Sequence, residues 1–185
     1  MKMRKMRLLL GLVAGLFLGT QSMGQAQNKK VRYIQDLYYY IKDKITQEKY
    51  YINEYNFNST GKGLPKQGDY KRFERYFYSF SGKAAPTIRT ITIKTVVKKT
   101  LDYEEFLYDL DGQLIFYYEK RNDKKKLYGE ISIYFNKGKA IHIVKDRQVF
   151  DKTTIDQNEN FLKLAWNKGN TYHKKFDTQM ARYRE

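Results

Sequence analysis

The chain of 185 residues has no cysteine, two prolines, two histidines and one tryptophan. The absence of cysteine excludes disulfides, thiol catalysis, thiolate zinc sites and redox motifs. Exported domains without disulfides are usual in bacterial periplasms and less usual among small eukaryotic extracellular modules. Scarce proline beside 18 tyrosines and 11 phenylalanines favours an ordered, strand-rich domain over a disordered tail.

The sequence also lacks the short motifs that carry common chemistries. No G-x-S-x-G nucleophile elbow, Walker loop or G-x-G-x-x-G fingerprint occurs. The stretch 61–63, Gly-Lys-Gly, falls in a turn-rich segment without the strand-to-helix context that a phosphate cradle needs. We therefore expect no enzymatic activity, no cofactor and no metal.

The first residues predict an export signal. An apolar run, Leu8–Leu18, follows a segment that has four basic residues and no acid. Gly24 and Ala26 then occupy the −3 and −1 positions of a signal-peptidase site. Residues 1–26 are thus expected to be a signal peptide cleaved near Ala26, and residues 27–185 a single α+β domain in the periplasm or outside the cell.

The competing interpretation of the same segment is an uncleaved membrane anchor. A spanning helix needs about twenty apolar residues, and the run is only about half that length. We therefore expect no transmembrane span in the mature chain. Without a cysteine after the run, the chain has no thiol to acylate, which excludes a lipoprotein anchor.

The periodicity of apolar residues predicts the fold. Period-3.6 patterns indicate a helix at 31–48 and helical structure again from Thr153, with the pair Gly169-Asn170 as a stop or kink. Period-two patterns between them indicate strands at 50–57, 70–80, 87–98, 103–110, 113–120, 128–135 and 139–145. The expected fold is α+β: an N-terminal helix, an antiparallel β-meander of about seven strands, forming a curved sheet or a small barrel, and a C-terminal helix.

Two details of the strands sharpen this prediction. The apolar residues of 87–98 do not share one face, which indicates a bulge or a strand covered on both sides. Asp111-Gly112 is a strong hairpin signal. Around this turn and the next, one strand face is apolar and the other half polar, as in a sheet with one packed side.

Candidate acid–base residues are few. His142 and His173 belong to no metal-binding or catalytic spacing, so both are interpreted as structural. Glu104-Glu105 and the pair Asp109 and Asp111 are the acidic clusters. The two aspartates bracket a hairpin tip, where turn chemistry alone favours aspartate.

Positive charge is the strongest compositional signal. The formal net charge is +16, and residues 1–26 contribute +4 of it, which leaves +12 for the mature chain. Such a field attracts polyanions. The candidate polyanion-binding residues are Lys124, Lys125, Lys126, Lys137, Lys139, Lys174 and Lys175. Exposed aromatic residues are expected to stand beside them: Tyr76, Tyr78, Tyr117, Tyr118 and Tyr134. The competing role for the lysines is protection of sheet edges against aggregation.

Three functional hypotheses follow. The first is a non-enzymatic exported bacterial domain that binds an anionic envelope polymer or a protein partner through a basic, tyrosine-rich surface, whereas export argues against nucleic acid. The second is a barrel or cone that binds a small ligand in an apolar interior. The third is a carboxylate-based hydrolase, which requires two acids in one pocket.

Overall fold

A computed structural model describes residues 27–65, 68–80, 85–98, 100–122, 129–150, 157 and 159–183. The described part of the first helix, α1, covers residues 27–46, and the last helix, α2, spans Glu159–Met180 before a 3-10 turn at Ala181–Tyr183. The strands between them are β1 (Tyr51–Phe57), β2 (Gly63–Leu64), β3 (Gly68–Ser79), β4 (Thr87–Val97), β5 (Thr100–Tyr108), β6 (Leu114–Arg121), β7 (Glu130–Asn136), β8 (Lys139–Lys145) and β9 (Gln148–Val149).

The strands form one open antiparallel sheet. Their order is β1-β3-β4-β5-β6-β7-β8-β9, with β2 paired to β3 alone. The predicted helix–meander–helix order is confirmed, and the seven predicted strands are all present. The sequence missed β2 and β9 because each has only two residues, too few to show a period. The sheet does not close, so of the two predicted forms the barrel is not the one adopted.

The two helices cover opposite faces of the sheet. On the α2 face the core includes Ile91, Phe106, Tyr108, Ile133, Phe176 and Met180. On the α1 face it includes Ile34, Ile41, Leu107, Ile115, Phe116 and Tyr134. The expectation of a single packed side is therefore wrong: both sets of alternating residues contain large apolar side chains, and each set has a helix to pack against.

The irregular apolar pattern of β4 comes from a bulge, which was one of the two predicted explanations. Phe77 pairs with Thr90 but Tyr78 pairs with Ile88, so Arg89 is the extra residue. The inserted residue returns Ile88 to the face of Ile91, and both are buried in the same core.

Gly169 does not stop α2, which continues through this position to Met180. The glycine is needed where the helix approaches the sheet. A Cβ at this position would lie 2.7 Å from Leu114 Cδ2 and 3.2 Å from Phe106 Cδ1. Tyr108 also donates a hydrogen bond of 2.7 Å to the Gly169 carbonyl. The predicted helix stop was wrong because glycine, a poor helix former, serves here for close packing.

Candidate binding surface

The α1 face extends beyond the part that the helix covers, and there one row of side chains crosses the sheet. Paired residues in antiparallel strands point to the same face. Register places Lys94 of β4 opposite Tyr103 of β5, and Tyr103 opposite Lys120 of β6. The row continues through Phe73 on one side and Glu130 on the other. An aromatic ring thus stands between two lysines.

Two open clefts meet at this row. The first has a volume of about 380 Å³, and its lining residues are Glu54, Asn56, Phe73, Arg75, Thr92, Lys94 and Tyr103. The second has a volume of about 530 Å³, and its lining residues are Leu101, Tyr103, Lys120, Arg121, Asn122, Gly129, Glu130, Asp146 and Arg147. Both clefts share Tyr103. We call the two together the transverse groove, because the row that joins them runs across the strands.

Tyr103 is anchored from inside the sheet. Its hydroxyl donates a hydrogen bond of 3.0 Å to Glu105, which is 1% exposed. Tyr38 and Lys42 of α1 contact the same carboxylate at 3.3 and 2.9 Å. Burial, together with the Glu105 carboxylate, raises the pKa of Tyr103 above its ordinary value. At neutral pH Tyr103 is therefore a fixed, uncharged ring at the centre of the groove.

The groove carries positive charge that its own acids do not neutralise. Lys94 and Lys120 are exposed and form no ion pair with any described residue. Glu54 in the first cleft is paired with Arg75 at 2.5 Å. Asp146 in the second cleft accepts hydrogen bonds from two backbone N–H groups, one of which belongs to Glu130. The two row lysines thus remain available to an anionic ligand.

Buried carboxylates lie on the opposite face, below α2. Register aligns Glu74, Ile93, Glu104 and Glu119 in one row of β3 to β6. The three glutamates are 3%, 6% and 2% exposed. None of them lines either cleft. A buried carboxylate requires a charged or hydrogen-bonding partner, and each of the three has one.

The partners come from a stripe of α2 and from the same strands that carry the glutamates. Lys175 donates to Glu74 at 2.6 Å, and Lys168 contacts Glu104. Arg72 donates to Glu74 at 2.8 Å and also contacts Tyr172 of the helix. Glu119 is paired with Arg121. Because positions 168, 172 and 175 share one side of a helix, this network attaches α2 to the sheet and is interpreted as structural.

Of the predicted polyanion-binding lysines, those that the structure describes do not line the groove. Residues 124–126 fall outside the described part of the chain. Lys137 and Lys139 are exposed at the β7–β8 turn, and Lys174 is exposed on α2. Lys175 faces inward to Glu74 and lies 5.1 Å from the ring centre of Phe57.

The predicted exposed tyrosines are largely core residues, so that part of the prediction is wrong. Tyr76, Tyr78, Tyr117 and Tyr134 are at most 8% exposed, and Tyr118 is half-buried. Packed helices on both faces remove these rings from water. The solvent-exposed tyrosines include Tyr33, Tyr39 and Tyr40 on α1 and Tyr51 on β1.

The histidines and the hairpin aspartates have structural contacts. His142 packs edge-on against Tyr134 at 5.3 Å, and burial lowers the pKa of His142. His173 packs beside Tyr108 at 5.3 Å. Asp109 Oδ1 accepts hydrogen bonds of 3.0 and 2.9 Å from the backbone N–H groups of Asp111 and Gln113. This is the turn chemistry that the sequence predicted.

Sequence reasoning missed the row Lys94–Tyr103–Lys120, although a signal for it exists. The turn between Val97 and Thr100 places Lys94 opposite Tyr103. Counting outward from Asp111-Gly112 places Tyr103 opposite Lys120, as observed. What the sequence could not supply is that α1 leaves this row uncovered while it buries Leu107 and Phe116 on the same face.

No protein-family model, curated protein or solved structure matches this chain.

None of the described helices is both long enough and apolar enough to cross a bilayer. The described residues contain no cluster of three or more acidic or histidine side chains placed to hold a metal ion.

Proposed function

We propose that the mature chain is a non-enzymatic exported domain that binds an anionic polymer of the bacterial envelope in the transverse groove. The observation that carries the proposal is the row in which exposed Lys94 and Lys120 flank the fixed ring of Tyr103. Lysines supply charge attraction, and the ring supplies a flat apolar face for an uncharged part of the ligand.

The overall charge supports the choice of an anionic ligand. A mature charge of +12 raises the local concentration of polyanions around the domain. The groove concentrates this general attraction at one site. Its lining has five basic residues and three acids, and Lys94 and Lys120 form no ion pair with a described residue. A polymer makes many such weak contacts at once and gains affinity from their number.

The environment of Tyr103 favours a binding role for this residue over a catalytic one. A nucleophile or general base needs a pKa near the working pH, whereas the pKa of Tyr103 is shifted upward, away from that range. Glu105 behind it is held by Lys42 and Tyr38. A hydrolase needs two acids in one pocket. The predicted acidic pair, Glu104 and Glu105, is buried on opposite faces of the sheet against Lys168 and Lys42. Glu130 and Asp146 line one cleft, but their carboxylates accept hydrogen bonds from the Tyr118 hydroxyl and from two backbone N–H groups.

The small-ligand alternative depended on a barrel interior. The described strands form an open sheet, and its two faces pack against helices instead of enclosing a hollow. The groove is the better-supported ligand site in this fold.

Titration with polygalacturonate, an acidic glycan, tests the proposal, with neutral dextran as the reference polymer. We expect wild-type protein to bind the acidic glycan and not dextran. Binding should weaken steeply between 20 and 300 mM salt, because the Debye length falls from roughly 20 Å to below 10 Å over that range. The double substitution Lys94→Ser/Lys120→Ser should lower the affinity about tenfold, since two exposed charge contacts are together worth about 1–2 kcal/mol.

The matched control removes the same charge elsewhere. Lys137→Ser/Lys139→Ser changes two exposed lysines at the β7–β8 turn, and it should alter the affinity less than about threefold. A triple substitution of residues 124–126 to serine examines the lysines outside the described chain. If Lys137→Ser/Lys139→Ser loses more affinity than the groove variant, the groove is not the binding site. Equal binding of dextran, or no salt dependence, would refute the polyanion proposal itself.

Export belongs to the same proposal and has a separate test. The protein should be recovered from the exported fraction with Gln27 as its first residue. Intact Met1 on protein from the cytosol would contradict the signal-peptide interpretation.

A further inference from the structure

The spacing of the groove residues restricts the ligand. Antiparallel neighbours are about 4.8 Å apart, so Lys94 and Lys120, separated by one intervening strand, have backbones about 10 Å apart. Tyr103 lies midway between them. A positive charge, an aromatic ring and a second positive charge therefore follow one another across the sheet, one on each strand.

The row is also long. Register continues from Asn56 of β1 through Phe73 and on to Glu130 of β7. These five steps across the sheet span about 24 Å. The two clefts lie on either side of Tyr103 along this line. The shape suits an extended chain that crosses the strands better than a compact anion in one cleft.

A sugar unit in an extended polysaccharide is about as long as the ~4.8 Å spacing between strands. One sugar can therefore lie over each strand. A sugar over Tyr103 packs its C–H face on the ring, and its two neighbours lie over Lys94 and Lys120. In this arrangement the acidic groups belong on alternate sugars, because the lysines are two strands apart.

We infer that the ligand is a linear acidic polysaccharide with one carboxylate or sulfate on every second sugar, bound across the strands with about six sugars in contact, one over each strand of the row. This inference rests on the proposed function and adds the direction, the length and the charge spacing of the bound polysaccharide. It also assigns Tyr103 as the residue that orients the chain, by holding a neutral sugar between two charged ones.

Oligosaccharides of defined length test the inference on the full mature chain. Hyaluronate fragments carry a carboxylate on every second sugar, and fragments of two, four, six and eight sugars serve as probes. We expect affinity to rise at least about tenfold from two to six sugars and to change less than about twofold from six to eight. Oligogalacturonates, with a carboxylate on every sugar, should bind less tightly than hyaluronate fragments of equal length.

Substitutions at Tyr103 separate the ring from the charges. Tyr103→Ala should lower the affinity for the six-sugar fragment about tenfold, whereas Tyr103→Phe, which keeps the ring, should stay within about threefold of wild type. Thermal melting of each variant verifies that the fold is intact. If Tyr103→Ala binds the six-sugar fragment as wild type does, the orienting role is refuted.

The outcomes separate this inference from the proposed function. If the acidic polymer binds regardless of Lys94 and Lys120, the proposed function itself fails. If binding depends on these lysines but two sugars bind as tightly as six, only the extended-chain inference is overturned. Equal or tighter binding of oligogalacturonate overturns the charge spacing, and tighter binding of single-stranded DNA of similar length overturns the polysaccharide class.

Discussion

Replacing Gly169 with alanine in the middle of α2 sets two opposing effects against each other. Alanine is a better helix former than glycine by about 1 kcal/mol, so an isolated helix would gain stability. In the folded protein the new Cβ would lie 2.7 Å from Leu114 Cδ2 and 3.1 Å from Leu114 Cδ1. Leu114 is 1% exposed and Phe106 is fully buried, so neither has open space into which to move.

Overpacking of a filled core costs about 1–3 kcal/mol. Subtracting the helix-propensity gain from this cost leaves a net destabilisation of about 1 kcal/mol. In a domain of this size that corresponds to a fall in melting temperature of about 2–4 °C. Urea and thermal unfolding followed by circular dichroism measure both quantities.

Two further variants make the Gly169 result decisive. Asn170→Ala changes the adjacent exposed residue, and it should be neutral or stabilising by a few tenths of a kcal/mol, because only helix propensity changes there. Leu114→Val removes both Leu114 Cδ atoms, the two nearest to the new Cβ, so Gly169→Ala should cost less in that background. A Gly169→Ala protein more stable than wild type would refute close packing as the reason for the glycine.

Two other predictions concern the ionic network and the hairpin. Burial raises the pKa of Glu74, but hydrogen bonds from Lys175, Arg72 and Tyr76 outweigh it and hold the pKa below 4.5. The stabilisation is thus present above pH 4.5 and lost as the pH falls through the folded-state pKa. By urea unfolding, Glu74→Gln should have a lower free energy of unfolding than wild type at pH 7, and this free energy should depend less on pH below pH 4.5. The exposed control Glu54→Gln should leave both quantities nearly unchanged. If the stability of Glu74→Gln depends on pH as steeply as that of wild type, the prediction is wrong. Asp109→Ala should cost about 1–2 kcal/mol by losing two backbone hydrogen bonds, and Asp111→Ala should cost clearly less; equal losses would show that Asp109 does not hold the turn.

Prediction from sequence succeeded where one strand or helix carries its own pattern. The alternation in β5, β6, β7 and β8 follows from local chemistry, so their existence and order were predictable. The bulge beside Arg89 was visible as a break in the alternation of β4. The basic character of the chain likewise follows from composition alone.

Prediction from sequence failed for residues whose burial or ion pairing depends on a distant helix or strand. Tyr117 and Tyr134 look like exposed aromatics in a half-polar strand, yet each is covered by a different helix. Lys175 looks like a surface lysine beside Lys174, yet it pairs with Glu74, which is 101 positions earlier in the chain. Such pairings join residues far apart in sequence, and no local window contains both partners.

The sequence by itself determined the α+β meander and the excess of basic side chains, because period, turn chemistry and charge are properties of neighbouring residues. Only the tertiary structure decided which faces are covered, why α2 carries a glycine at 169, and which lysines remain unpaired beside Tyr103. The physical reason is that burial and register are relations between distant segments: α1 covers one part of a face and leaves the next row of the same strands open to solvent.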